Sequence, residues 1–218
     1  MRGRQLAVFL VAVAVGWVCL PAASDATPIG PNCGTCQGSI YELSYSGSPI
    51  ATTATTETFE ITYSIDTSGY NGTGVRLDTV ALKVASSFVD ATLISAPGGV
   101  ANWVEMFGGL NAAGCSGSGS GYDCVRVAAL VSAPVVPGAT YSWVFQIEVP
   151  TGSLSVGTDE ASVKARYVSS NGIKKGALVS ESITLTNVPE PRLGLLALAL
   201  SSLALRRRAR LRGGRRQR

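Results

Sequence analysis

Two stretches of the sequence alternate between apolar and polar residues, and this period of two constrains the fold more than any other feature. In residues 58–65 every second residue from Phe59 is apolar, and residues 141–149 repeat the pattern from Tyr141. Successive side chains of a strand point to opposite faces, so the pattern predicts strands with one buried and one solvated face. No segment between residues 27 and 188 shows a helical period of 3.6 over three turns.

Further short apolar and β-branched runs extend this pattern to nine candidate strands. Turn dipeptides such as Pro97-Gly98, Pro137-Gly138 and Asn171-Gly172 separate the runs. The candidates are Ser39–Ser46, Glu57–Asp66, Val75–Ser86, Val89–Ala96, Asn102–Phe107, Cys124–Ala133, Tyr141–Val149, Ala161–Val168 and Val179–Thr186. Nine strands at this spacing predict an all-β domain over residues 27–187, an antiparallel β-sandwich with a jelly roll as the alternative.

The N-terminus has the three parts of a secretory signal. Two arginines precede an uncharged apolar run, Leu6–Leu20, and small residues follow. This run of fifteen residues is shorter than the roughly twenty that a spanning helix needs. We therefore expect residues 1–26 to be a signal peptide for the Sec export machinery, cleaved near Ala23 or after Ala26. An uncleaved anchor is the alternative.

The C-terminal segment, residues 188–218, has three parts in a fixed order. Its first part consists of Val188, Pro189, Glu190 and Pro191. An uncharged apolar run at 193–205 follows, and as a helix its thirteen residues would span about 20 Å of a hydrocarbon core about 30 Å thick. The third part is an arginine-rich end at 206–218 that begins with Arg206, Arg207, Arg208 and Arg210. Because arginines beside an apolar run stay cytoplasmic, we expect a short membrane helix with the domain outside the inner membrane.

These three parts resemble the PEP-CTERM sorting signal of exported Gram-negative bacterial proteins. Pro189, Glu190 and Pro191 match its core motif position by position. The resemblance implies transient anchoring in the inner membrane and recognition by an exosortase, a membrane enzyme that removes the segment. It also implies a cell-surface or extracellular location in bacteria that make exopolysaccharide and biofilm. A plain tail anchor is the alternative.

Four cysteines remain once the signal is removed, and an even number in an exported domain predicts two disulfides. They are Cys33, Cys36, Cys115 and Cys124. Three pairings exist, and we favour the two local ones, Cys33–Cys36 and Cys115–Cys124. A Cys-x-x-Cys can also be a redox or a zinc motif. A redox motif would begin a helix after a strand, and a zinc site would need a common spacing of its four cysteines, and the sequence has neither.

Charge and composition exclude several classes of function. Residues 27–187 carry seven basic and twelve acidic residues, a net charge of −5, which argues against a nucleic-acid partner. The chain has no histidine, so the commonest general base and metal ligand is missing. We expect no cofactor, no metal and no catalytic residue.

Aromatic and acidic residues provide the remaining candidates for a site. Trp103 and Tyr122 lie beside predicted turns and are candidate glycan contacts, with packing as the alternative, whereas Trp143 is expected in the core. The acidic residues form no dense group of oxygen ligands. Those considered as pairs or ligands are Glu57 with Glu60, Asp159 with Glu160, and Asp66, Asp78, Asp90 and Asp123.

The sequence therefore favours a non-enzymatic exported protein with a structural or adhesive role, exopolysaccharide being the expected contact. A carbohydrate-binding module on a β-sandwich is the alternative. A carboxylate-dependent hydrolase is a third hypothesis, and it requires a pocket with two acidic groups roughly 5–10 Å apart.

Overall fold

The computed structural model describes residues 27–117, 119, 121–129 and 135–187. The predicted signal peptide at 1–26 and the predicted sorting segment at 188–218 lie outside these residues. Within the described part of the chain, no helix has the length and apolar character needed to cross a bilayer.

The described residues form an all-β structure with one short 3₁₀ turn at Val100–Asn102. The strands are β1 Ile40–Tyr45, β2 Ala51–Thr52, β3 Thr56–Asp66, β4 Arg76–Lys83, β5 Asp90–Ser95, β6 Trp103–Phe107, β7 Gly109–Asn111, β8 Gly114–Gly117, β9 Asp123–Val127, β10 Thr140–Pro150, β11 Ala161–Val168, β12 Val179–Ile183 and β13 Thr186–Asn187.

Two sheets pack face to face around one core, which confirms the predicted sandwich-like all-β fold. Sheet A has the order β13-β1-β3-β10-β5, with β2 added to β3, and sheet B has the order β12-β11-β4-β9-β6. Neighbouring strands are antiparallel except for β1 and β13. A separate hairpin, β7–β8, lies on the outer face of sheet B, where Leu110 and Cys115 pack with Ala81 and Cys124.

The alternating stretches pair with each other at the centre of sheet A. Phe59, Ile61 and Tyr63 of β3 stand opposite Ile147, Phe145 and Trp143 of β10, and all six side chains are buried. Burying each large apolar side chain contributes about 1.5–3 kcal/mol, so this ladder supplies much of the stability of the core.

Each of the nine predicted strands has a counterpart among the described residues, and the differences lie at the strand ends and in additional short strands. Residues 130–133 of the predicted strand Cys124–Ala133 lie outside the described residues. The last prediction, Val179–Thr186, is divided, because β12 belongs to sheet B and β13 to sheet A. The short strands β2, β7 and β8 lie in stretches where glycine, serine and threonine mask a period of two. Strand β8 ends at Gly117, within the alternating serine and glycine residues at 116–121.

Candidate ligand site

A pocket opens at one edge of the sandwich, where β4, β6 and β9 end or begin. Its volume is ≈ 420 Å³. The lining residues are Ser87, Phe88, Val89, Phe107, Gly108, Gly119, Gly121 and Tyr122. Three of these are aromatic, and the Phe88 and Phe107 rings lie 5.8 Å apart between centroids. The site therefore combines aromatic walls with a glycine-rich rim.

The glycine-rich rim is shaped by one backbone position in particular. Gly121 has a φ of 74°, a left-handed conformation that favours glycine. A Cβ there would lie 2.6 Å from the carbonyl oxygen of Ser86, which joins the rim to the connection after β4. The backbone N–H of Gly108 donates to the carbonyl of Tyr122 at 3.0 Å and fixes the other side of the rim.

Tyr122 forms a wall of the pocket and is flanked by two lysines of sheet B. The Nζ atom of Lys164 lies 4.3 Å from the ring centroid, and that of Lys83 lies 5.9 Å from it. Neither lysine forms an ion pair with a described carboxylate. The edge of the pocket at Tyr122 thus carries two uncompensated positive charges.

The hairpin β7–β8 fixes the outer face of sheet B beside Tyr122. A disulfide joins Cys115 to Cys124 with a Cα–Cα distance of 5.6 Å. The guanidinium of Arg166 donates to both oxygens of Asp78, at 2.9 and 2.5 Å, and to the carbonyl of Ala112 in the hairpin at 3.0 Å. This buried ion pair and the disulfide hold the hairpin against the sheet.

Two carboxyl groups meet on the inner face of sheet B next to the pocket. Asp123 follows Tyr122 and stands opposite Phe107, and Glu105 lies two residues before Phe107, so strand alternation puts all three side chains on one face. Asp123 is 0% exposed. The Oε2 atom of Glu105 accepts the backbone N–H of Leu93 at 3.0 Å, which joins β6 to β5 of sheet A.

No cation among the described residues forms an ion pair with these carboxyl groups, and the backbone N–H of Cys124 lowers the pKa of Asp123 only in part. Neither oxygen of Asp123 forms a hydrogen bond of ordinary geometry, and neither does Oε1 of Glu105. Burial, followed by the charge of Glu105, raises the pKa of Asp123 from 3.8 to about 8. Two carboxylates cannot donate to each other, so their approach becomes a hydrogen bond only when one of them carries a proton.

The two predicted aromatic contacts, Trp103 and Tyr122, differ in their surroundings. Trp103 has the packing role and lacks the exposure that a glycan contact needs, because the residue is 6% exposed. Its ring packs edge-on against Trp143 at 5.3 Å, and its Nε1–H donates to the carbonyl of Pro97 at 2.9 Å. Tyr122 lines the pocket and remains a candidate contact. Phe88 and Phe107 were not predicted as contacts, because only the fold brings them together.

The acidic pairs considered from sequence lie apart from the pocket lining. Asp159 accepts a hydrogen bond from Thr184 at 2.8 Å, and Glu57 accepts the backbone N–H of Gly152 at 3.0 Å. Glu60 is exposed on β3. The pair that does form, Glu105 with Asp123, was missed, although an acidic residue between Trp103 and Phe107 on the same strand face is the signal that could have indicated it.

The second disulfide lies at the N-terminal end of the described domain. Cys33 and Cys36 are joined with a Cα–Cα distance of 5.2 Å, so the structure has both local pairings favoured from sequence. Glu181 lies close to these sulphur atoms and accepts a hydrogen bond from Thr35. Because each sulphur is bonded to the other, this group lacks the free thiolates that a metal would need.

Comparisons with known proteins identify no family for the chain. No protein-family model matches it, and no curated protein has a matching sequence. Its structure is similar to that of a Corynebacterium diphtheriae protein provisionally described as membrane anchored, with a TM-score of 0.40 and 14% identity. The match covers 76% of this chain and 38% of that chain, so the chain spans under two fifths of its length. At this level the likeness carries no argument about function.

Proposed function

We propose that the chain is an exported, non-enzymatic protein of the bacterial cell surface or extracellular matrix, sorted through its C-terminal segment. The observation that carries the proposal is the order Pro189-Glu190-Pro191, apolar run 193–205 and arginine-rich end. Two disulfides in the described domain support it, because such bonds persist in oxidising compartments outside the cytosol. The last described strand ends at Asn187, directly before the predicted motif.

Mass spectrometry of the protein tests this proposal after expression in a bacterium that has an exosortase. We expect a mature form that lacks residues 1–26 and the arginine-rich end. A Glu190→Ala variant is expected to keep the C-terminal segment and remain in the membrane fraction. The matched control is Glu60→Ala, an exposed acidic residue of β3, which should be processed like the unchanged chain. Identical processing of the Glu190 variant would overturn the assignment.

A second candidate function, glycan binding, is favoured by the pocket itself. Phe88, Phe107 and Tyr122 offer aromatic surface in one concavity, and pockets of this kind are the usual places for small ligands. All five lysines and arginines that lie in strands belong to sheet B, and the strands of sheet A have none. The charge beside Tyr122 therefore favours an acidic sugar.

A panel of neutral and acidic oligosaccharides tests glycan binding. We expect Tyr122→Ala to weaken binding about tenfold or more, a loss of about 1.4 kcal/mol. Lys164→Gln should weaken binding of acidic sugars at low salt more than at high salt, because salt screens exposed charges. Lys174→Gln, in the connection between β11 and β12, is the charge-matched control. No binding of any sugar would remove this candidate and leave the sorting proposal untouched.

The geometry of the acid pair argues against a carboxylate-dependent hydrolase. Such enzymes place two carboxyl groups about 5–10 Å apart with the scissile bond between them. Asp123 is fully buried, and the charge of nearby Glu105 raises its pKa. A sugar chain cannot reach a side chain that is buried in this way, so the pair fits a different role.

A further inference from the structure

The inner face of sheet B contains an arrangement that is unfavourable as it stands. A fully buried carboxyl group, Asp123, lies beside a second one, Glu105, and no described cation forms an ion pair with either. Neither oxygen of Asp123 forms a hydrogen bond of ordinary geometry, and the nearby backbone N–H of Cys124 offsets the burial only in part. Burying an unpaired carboxylate costs several kcal/mol. Such a pair is stable only if it holds a proton or if it binds a cation.

We propose that Glu105 and Asp123 bind a calcium ion at the edge between β6 and β5. Three oxygens are available for it, the two of Asp123 and Oε1 of Glu105. The remaining oxygen of Glu105 is held by the N–H of Leu93, which fixes the direction of the carboxylate. Asp90, at the start of β5, adds a third negative charge that acts on Asp123.

The donor set selects calcium over other common metals. All donors are carboxylate oxygens, which favour calcium and magnesium, whereas zinc and copper sites use imidazole or thiolate ligands. The chain has no histidine, and the described cysteines are in disulfides. Calcium accepts six to eight oxygens in irregular geometry, whereas magnesium demands a near-ideal octahedron. Water and backbone oxygens complete such a shell.

The site has a defined consequence for the fold. Glu105 belongs to sheet B and Leu93 to sheet A, so an ion on Glu105 would strengthen the contact between the two sheets at the edge beside the pocket. Extracellular calcium modules bind with dissociation constants of about 0.1–1 mM. Binding to the folded state alone should then raise Tm by roughly 3–7 °C when calcium exceeds the dissociation constant about twentyfold.

Calcium titration of the purified exported protein tests the proposal, with Tm and isothermal titration calorimetry as readouts. The test variants are Asp123→Asn and Glu105→Gln, and Glu60→Gln is the matched control on the exposed face of sheet A. We expect the calcium-dependent rise in Tm for the unchanged chain and for the control, and its loss in both test variants. Because the readout is the shift caused by calcium, it stands even if a variant changes the starting Tm.

Two results would overturn the calcium site. In the first, calcium well above 1 mM neither shifts the Tm of the protein without substitutions nor gives binding heat. That result would assign the pair to a shared proton. The other is an equal calcium shift in Asp123→Asn, which would place the ion elsewhere. The calcium experiment does not depend on glycan binding or on C-terminal processing. Its outcome therefore neither supports nor contradicts those two proposals.

Discussion

Sheet B buries a pair of charged side chains on each of its two faces, and the two pairs differ in how their charge is balanced. On the outer face, Arg166 donates two hydrogen bonds to Asp78 beneath the hairpin β7–β8. On the inner face, Asp123 meets Glu105, which has the same charge. The first pair is complete within the chain. The second needs a proton or an ion from solution, so it can respond to its surroundings.

Removing Arg166 should have the largest effect on stability. In Arg166→Met the carboxylate of Asp78 stays buried, since its side chain is 5% exposed, and it loses its cationic partner while the hydroxyl of Thr79 still donates to it. Breaking a buried pair in this way costs about 3–5 kcal/mol, which urea unfolding will measure. The double variant Asp78→Leu with Arg166→Met should recover most of the loss. A single variant as stable as the unchanged chain would show that the outer pair is not needed.

Removing the disulfide of the hairpin should have the next largest effect. Replacing Cys115 and Cys124 by serine releases a short loop and should cost about 2–3 kcal/mol of unfolding free energy. The hairpin also supplies the carbonyl of Ala112 to Arg166, so the loss should be smaller when Arg166→Met is already present. Strictly additive losses in urea unfolding would contradict this coupling between disulfide and ion pair.

The inner pair predicts a pH dependence that the outer pair does not. In calcium-free buffer, the pKa of Asp123 is 3.8 when unfolded and about 8 when folded. Between these values the folded chain holds a proton that the unfolded chain has lost. Stability therefore falls as pH rises towards 8, by at most about 1.4 kcal/mol per pH unit, and then levels.

Urea unfolding at a series of pH values between 5.5 and 9 measures this slope. No histidine titrates in that window, because the chain has none. Asp123→Asn is expected to flatten the slope, whereas Glu60→Gln should leave it unchanged. A slope that survives in the Asp123 variant would show that another group holds the proton.

The difference between the two pairs also explains how far the sequence predicts the structure. Alternation and turn residues locate the strands, because local sterics and the burial of one face depend on neighbouring residues. Pairing across the sheet cannot be predicted from neighbouring residues. Asp78 and Arg166 lie on different strands, as do Glu105 and Asp123, and the order of the strands is a property of the whole fold. The same limit applies to Trp103: the sequence leaves exposure and packing open, and packing is decided by its contact with Trp143, a residue of the other sheet.

The smallest expected effect comes from replacing the lysines beside Tyr122. These variants test whether the lysine charges balance the negative charge of Glu105 and Asp123. Lys164 lies 4.3 Å from the ring centroid and Lys83 lies 5.9 Å from it, on the face of sheet B opposite to Asp123. A cation–π contact is worth about 0.5–1 kcal/mol, so Lys164→Gln should lower the unfolding free energy by up to that amount and Lys83→Gln by less. Both variants should keep the pH slope of the unchanged chain. A steeper slope in Lys164→Gln would mean that its charge reaches through the sheet, and the contrast between a balanced and an unbalanced pair would then have to be abandoned.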